Sequence, residues 1–142
     1  MKRYSAVVAL VLMATFTMYA QDKEVRYFTS VDGYRGINSM KAERQYLVSL
    51  STSNDGVLES ALAHVAMMKL ALPNERYQVL HERVTDIAKT ASSPEIRYKA
   101  FLTAMTLENP KIFGAMDLQQ FKSPDELFAA LASRLGQLYA VK

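Results

Sequence analysis

Hydrophobic positions along this chain recur with the period of a helix, not of a strand. Between residues 57 and 72, Val57, Ala61, Val65, Met68 and Leu72 fall at steps of three and four. Leu58, Leu62, Met67 and Leu70 widen the apolar coverage well past one face, so this segment is expected at the centre of a domain, packed on several sides. Over 75–90 the pattern is one-sided: Tyr77, Leu80, Val84, Ile87 and Ala91 form a stripe, with Val79 the one apolar residue off it. Gln78, Glu82, Thr85, Asp86 and Lys89 face away from that stripe. A second strongly apolar helix follows over 96–107, with Ala100, Leu102, Thr103 and Leu107 around it. Met40, Tyr46, Leu47 and Leu50 give an earlier one-sided helix, and Leu127, Leu131, Leu135 and Leu138 give a last one running to about residue 139.

The punctuation between these segments is that of helix ends. Asn38 or Ser39 caps the first helix, and the cluster 51–56 (STSNDG) is a turn from which Asn54 or Asp55 caps the next. Pro73 stops the central helix and Asn74 is expected to cap its successor. Ser93-Pro94-Glu95 combines a cap, a proline at the first helical position and an acid suited to the helix dipole. Glu95 and Lys99 form an i,i+4 pair in the favoured order. Asn109-Pro110 ends that helix, 111–122 is a connector with a turn begun by Asp117, and Ser123-Pro124-Asp125-Glu126 is a capping box with proline at its first position. The fold class is therefore all-α, with about five helices in antiparallel hairpins over 38–142.

Residues 21–37 are polar and glycine-containing. Val25, Tyr27 and Thr29 alternate, but a lone strand cannot satisfy its own ladder groups, so an irregular arm is expected, resting on the domain through Tyr27, Phe28 and Tyr34. Residues 1–20 have the layout of a secretory signal: Lys2 and Arg3, then an apolar run over 6–19, then Ala20 as the expected cleavage position. The run is shorter than the roughly 20 apolar residues of a membrane-spanning helix. With no cysteine there is neither a disulfide framework nor a lipid-carrying residue, so the expected product is exported, periplasmic or secreted, soluble and not a lipoprotein. The formal charge of +3 falls to about +1 without Lys2 and Arg3, too little for a nucleic-acid footprint.

Displacing the chain on itself by 39 residues sets Val57, Ala61 and Leu62 against Ile96, Ala100 and Phe101. Helix pairs repeating at about 40 residues belong to the HEAT and armadillo class. The run Pro94-Glu95-Ile96-Arg97-Tyr98-Lys99-Ala100 resembles the first-helix pattern of HEAT-like repeats; the earlier unit keeps the turn, the apolar position and the alanine but has Leu58 where the arginine would be. Over 38–140 the resemblance implies right-handed stacking of helical hairpins, against which a compact irregular helical bundle is the alternative. It also implies that Arg97 supports packing between units by bonding to turn groups, and that second helices line a concave binding side.

On that reading Gln78, His81, Glu82, Thr85 and Lys89 form the candidate binding surface. His64 and His81 would face each other if the helices flanking Pro73 form a hairpin, with Glu59 or Glu82 nearby, but no third ligand has metal-site spacing and no metal is expected. Met67, Met68, Met105 and Met116 are expected to fill the core and not to line a groove. There is no cysteine nucleophile, phosphate loop or HExxH pair, so neither enzyme chemistry nor a cofactor is expected. The expected function is a protein–protein interaction or scaffold module of the cell envelope, its partner another protein; the alternative is a small envelope metal-binding or stress-related protein using the two histidines.

Overall fold

A computed structural model describes residues 26–114 and 116–141. Among the described residues six α-helices follow one another: α1 (Val31–Arg35), α2 (Ser39–Ser49), α3 (Asp55–Ala71), α4 (Gln78–Thr90), α5 (Pro94–Glu108) and α6 (Pro124–Ala140). Short 3-10 turns at Pro110–Ile112 and Leu118–Gln120 bridge α5 to α6, the second begun by Asp117 as expected. No strand occurs among the described residues, and the fold is all-α. The signal-like residues 1–20 and Val25 lie outside the described residues.

Most helix starts carry the capping chemistry that the sequence announces. The Asn38 and Asn54 side chains accept from the amides of Lys41 and Val57 at 3.1 and 3.0 Å, and Ser93 accepts from Ile96 at 3.3 Å. At α6, Ser123 accepts from Glu126 N, while the Glu126 carboxylate reaches one residue further back than a standard box, to the Lys122 amide at 2.8 Å. The exception is α4, which begins at Gln78 with no side-chain cap, three residues later than expected. In the loop before it, the Lys69 ammonium donates to the carbonyls of Pro73 (2.9 Å) and Glu75 (2.5 Å). The loop extends to Tyr77, and Asn74 does not precede the helix.

The central helix is α3, with Leu62, Ala63, Val65 and Ala66 fully buried and Met67 and Met68 nearly so. At 0% exposure, Leu62 sits where truncation to alanine costs about 2–5 kcal/mol. Alongside it runs α5, oriented the same way: Lys99 bonds to Glu59, and the Thr103 hydroxyl reaches the Leu62 carbonyl at 3.3 Å. The tightest hairpin is α4–α5, joined by residues 91–93, and α4 also packs on α2. Its contacts with α3, across Pro73, are few, so the hairpin that would set His64 opposite His81 does not form.

The arm differs from expectation in containing a helix, α1, capped by Ser30. It is anchored on α3 as expected, with Phe28 and Tyr34 buried. Three apolar positions depart from their assigned stripes, Met40, Val57 and Leu138, which are exposed, as is Phe101. Val57 and Phe101 are members of the 39-residue match, yet their counterparts Ile96 and Leu62 are buried.

Candidate functional site

The polar face of α4 divides once its side chains are placed. Gln78, Glu82 and Lys89 are exposed, and the Gln78 amide donates to the Glu82 carboxylate at 3.2 Å. His81 is half-buried at the edge. Thr85 departs from the outward face assigned to it: its hydroxyl is buried and meets no hydrogen-bond partner among the described residues. Arg83 donates twice to the Leu50 carbonyl, at 3.1 and 2.9 Å, and pairs with Asp86 at 2.7 Å. One flank of α4 is thus engaged in capping the C-terminus of α2, and the open part of the face is narrower than its sequence suggests. Arg97 spends its guanidinium on the α4–α5 turn, donating to the carbonyls of Ala91 (2.6 Å) and Ser92 (3.0 Å).

Lys99 is not on the surface. Its side chain is 8% exposed, and its ammonium donates to Glu59, to Glu95 at 2.6 Å and to Asp125 at 3.1 Å. Three carboxylates use all three protons of the ammonium, and the Phe128 ring lies 5.7 Å away as a further cation partner. Burial by itself would lower the lysine's proton affinity, but the hydrogen bonds from the three acids outweigh it and hold Lys99 above the usual lysine range. Glu95 and Asp125 come from the first turns of α5 and α6, where the positive ends of the helix dipoles temper the surplus negative charge, and Glu59 from the second turn of α3. Glu59, Glu95 and Asp125 place oxygens within 4.8 Å of one another, the spacing of a cation site, with the lysine's own ammonium as the cation. This set, which contains neither histidine, is the one group of three potential metal ligands among the described residues.

His64 binds the arm. Its Nδ1 lies 2.8 Å from the Ser60 carbonyl and its Nε2 3.3 Å from the Tyr27 carbonyl. The rings of Tyr27 and Phe28 stand 5.2 Å from the imidazole and that of Tyr46 at 6.4 Å, while the Tyr27 hydroxyl donates to Ser60 Oγ at 2.7 Å. The arm's other side forms, with the connector, a cleft of about 180 Å³ lined by Arg26, Thr29, Val31, Leu118, Phe121 and Lys122.

One exposed aromatic feature stands on α5. Tyr98 and Phe101, three residues apart on α5, are 51% and 41% exposed, and their rings stack at 6.4 Å and 23°. Their i,i+3 spacing was visible, but Phe101 was absorbed into the repeat as a core position. Lys99 carried a legible signal too: it lies on the same helical face as Ile96, Ala100 and Thr103, all buried.

The chain matches no known family model, no curated protein and no solved structure. No helix among the described residues is long and apolar enough to cross a membrane.

Proposed function

We propose that this is an exported helical module that binds another protein, with Tyr98 and Phe101 as the anchor of its contact surface. The observation that carries the reading is the aromatic pair itself. Two large rings, stacked and half in solvent, stand on a helix whose opposite side is fixed to α3 through Lys99 and Thr103. Aromatic side chains on rigid elements lose little conformational entropy on binding and dominate the energetics of protein interfaces. The exposed polar residues Gln78, Glu82 and Lys89 on the neighbouring helix suit a wet rim. The HEAT-like arrangement of helices and the signal-like residues 1–20 belong to the same proposal: a small scaffold that works in the envelope or outside the cell. The full chain, expressed with an epitope tag in its native host, is expected in the exported fraction with a stoichiometric partner. Tyr98→Ser/Phe101→Ser is expected to lose the partner while keeping its helical circular-dichroism spectrum, at a cost in melting temperature because each ring buries about half of its surface on folding. A partner retained by that variant, or a full chain confined to the cytoplasm, would overturn the reading.

A further inference from the structure

We infer that the outward face of α2 is a docking surface for an anionic phospholipid layer. Ala42 and Leu50 fix the buried side of this helix, while Met40, Lys41, Arg44 and Val48 project into solvent. Met40, Arg44 and Val48 form one row, advancing round the helix by about 40° for each step of four residues. Met40 and Val48 are 69% and 76% exposed, so two aliphatic side chains stand clear of the core on either side of a guanidinium. Lys41 lies beside the row, and with Asn38, Met40 and Arg44 it borders a shallow hollow.

The charge on this face calls for an anionic occupant. The Lys41 ammonium and the Arg44 guanidinium make no ion pair or side-chain hydrogen bond among the described residues. The acids of α1 and α2 are engaged elsewhere. Asp32 pairs with Arg35 at 3.0 Å, and Glu43 is half-buried, close enough to Tyr77 for its charge to act on that phenol.

Lipid suits the face better than protein on two counts. Its exposed side chains are aliphatic and cationic, and the one aromatic of α2, Tyr46, is packed against the core; protein interfaces are instead rich in aromatic residues and poor in lysine. The row also lies along a single helix, with cations and apolar groups at one level. At a membrane surface the stems of such lysines and arginines follow the acyl boundary while their charges turn up to the phosphates. No helix among the described residues is long and apolar enough to cross a membrane, so the contact is that of a helix lying on the surface. It does not depend on Tyr98 and Phe101, which stand on α5.

The chain has no tryptophan, so Val48→Trp places a single fluorescent reporter in the row and Tyr139→Trp a single reporter on α6. Full-length chains are mixed with vesicles of phosphatidylcholine alone or of phosphatidylcholine and phosphatidylglycerol in equal parts. With the mixed vesicles, Val48→Trp emission is expected to shift to the blue and to be quenched by lipids brominated on their acyl chains, and Tyr139→Trp emission to do neither. Adding Lys41→Gln and Arg44→Gln to the Val48→Trp chain is expected to weaken partitioning into mixed vesicles about 25-fold, about fivefold per cation near an anionic surface. Lys89→Gln with Lys111→Gln, two exposed lysines on other elements, should change it less than about twofold. Binding through Lys2, Arg3 and the apolar run 6–19 is common to all these chains and cancels between them. Equal quenching at 48 and 139, or partitioning unchanged by Lys41→Gln/Arg44→Gln, would overturn the proposal. So would Val48→Trp emission already blue-shifted without vesicles, which puts another segment of the chain or a second copy on this face.

Discussion

Replacing Lys99 by methionine separates the energetics of this molecule most sharply. Methionine keeps most of the aliphatic stem but removes the ammonium from among Glu59, Glu95 and Asp125 and from the Phe128 ring. The three pairings are unequal because their exposure is unequal. Glu59 is 28% exposed and joins two helices distant in sequence, so its hydrogen-bonded pair with the 8% exposed lysine is worth about 2 kcal/mol. Glu95 and Asp125 are 72% and 82% exposed; water screens them, and each contributes about 0.3–0.5 kcal/mol. Together with the repulsion among the stranded carboxylates, Lys99→Met is expected to cost about 2–4 kcal/mol, within the usual range for breaking a buried pair from one side. In a domain of this size that lowers the melting temperature by roughly 10 °C. Circular-dichroism melts at neutral pH and moderate salt measure it directly, with Glu59→Gln and Glu95→Gln melted beside it. Glu59→Gln should approach the loss seen in Lys99→Met, and Glu95→Gln should cost less than about 0.5 kcal/mol. A loss below about 1 kcal/mol for Lys99→Met, or equal losses for Glu59→Gln and Glu95→Gln, would refute the reasoning from burial.

Other predictions concern the loop, the turn and the alkaline limb. Arg97→Ala removes two bonds to the carbonyls of Ala91 and Ser92 and is expected to cost about 1–2 kcal/mol in chemical denaturation, while Arg97→Lys recovers part of it, because one point charge replaces a fork. The Tyr77 hydroxyl is buried with no hydrogen-bond partner among the described residues, so Tyr77→Phe should leave stability unchanged or raise it by up to about 1 kcal/mol. Burial first, then the charges of Glu75 and Glu43, push the Tyr77 phenol up to about 12. Its folded value is raised, so its contribution is intact below the ordinary tyrosine value of about 10 and is lost between there and about 12; melts across that window should fall less steeply for Tyr77→Phe. Lys99, also raised, adds to that alkaline loss. Lys69 has the opposite sign: burial lowers it, so its desolvation penalty eases as pH climbs toward the ordinary lysine value, and Lys69→Met should flatten that gain.

Much of the fold was legible because helix ends are written locally. Asn38, Asn54, Ser93 and Ser123 cap where their chemistry says they should, since an N-cap needs only the next three residues to act. The α4 start was misplaced for the converse reason. The loop before it is held by Lys69 from the preceding helix, and an ammonium bonded to carbonyls leaves no periodic trace in the sequence. Pairing was harder still. Pro73 suggested a hairpin between α3 and α4, but a turn proline fixes where a helix ends and not what the next helix packs on. The burial of α5 between α3 and α4 takes the surface that such a hairpin would use. At the candidate site, Arg97 can be placed from its neighbours, whereas the sequence pairs Lys99 only with Glu95, because its other acid, Glu59, lies 40 residues away. The exposure of Tyr98 and Phe101 likewise depended on helix phase. A segment whose polar and apolar residues are spread all round gives no preferred direction, and α5 is such a segment.

Site-specific photo-crosslinking in living cells of the native host tests the protein-binding reading most directly. A photoreactive phenylalanine analogue is placed in turn at Tyr98, at Phe101 and at Tyr139, an exposed aromatic on α6 outside the proposed surface. The account predicts one discrete adduct shared by positions 98 and 101, absent at 139, and recovered in the exported fraction. No adduct at 98 or 101, or the same adduct at all three positions, would contradict it.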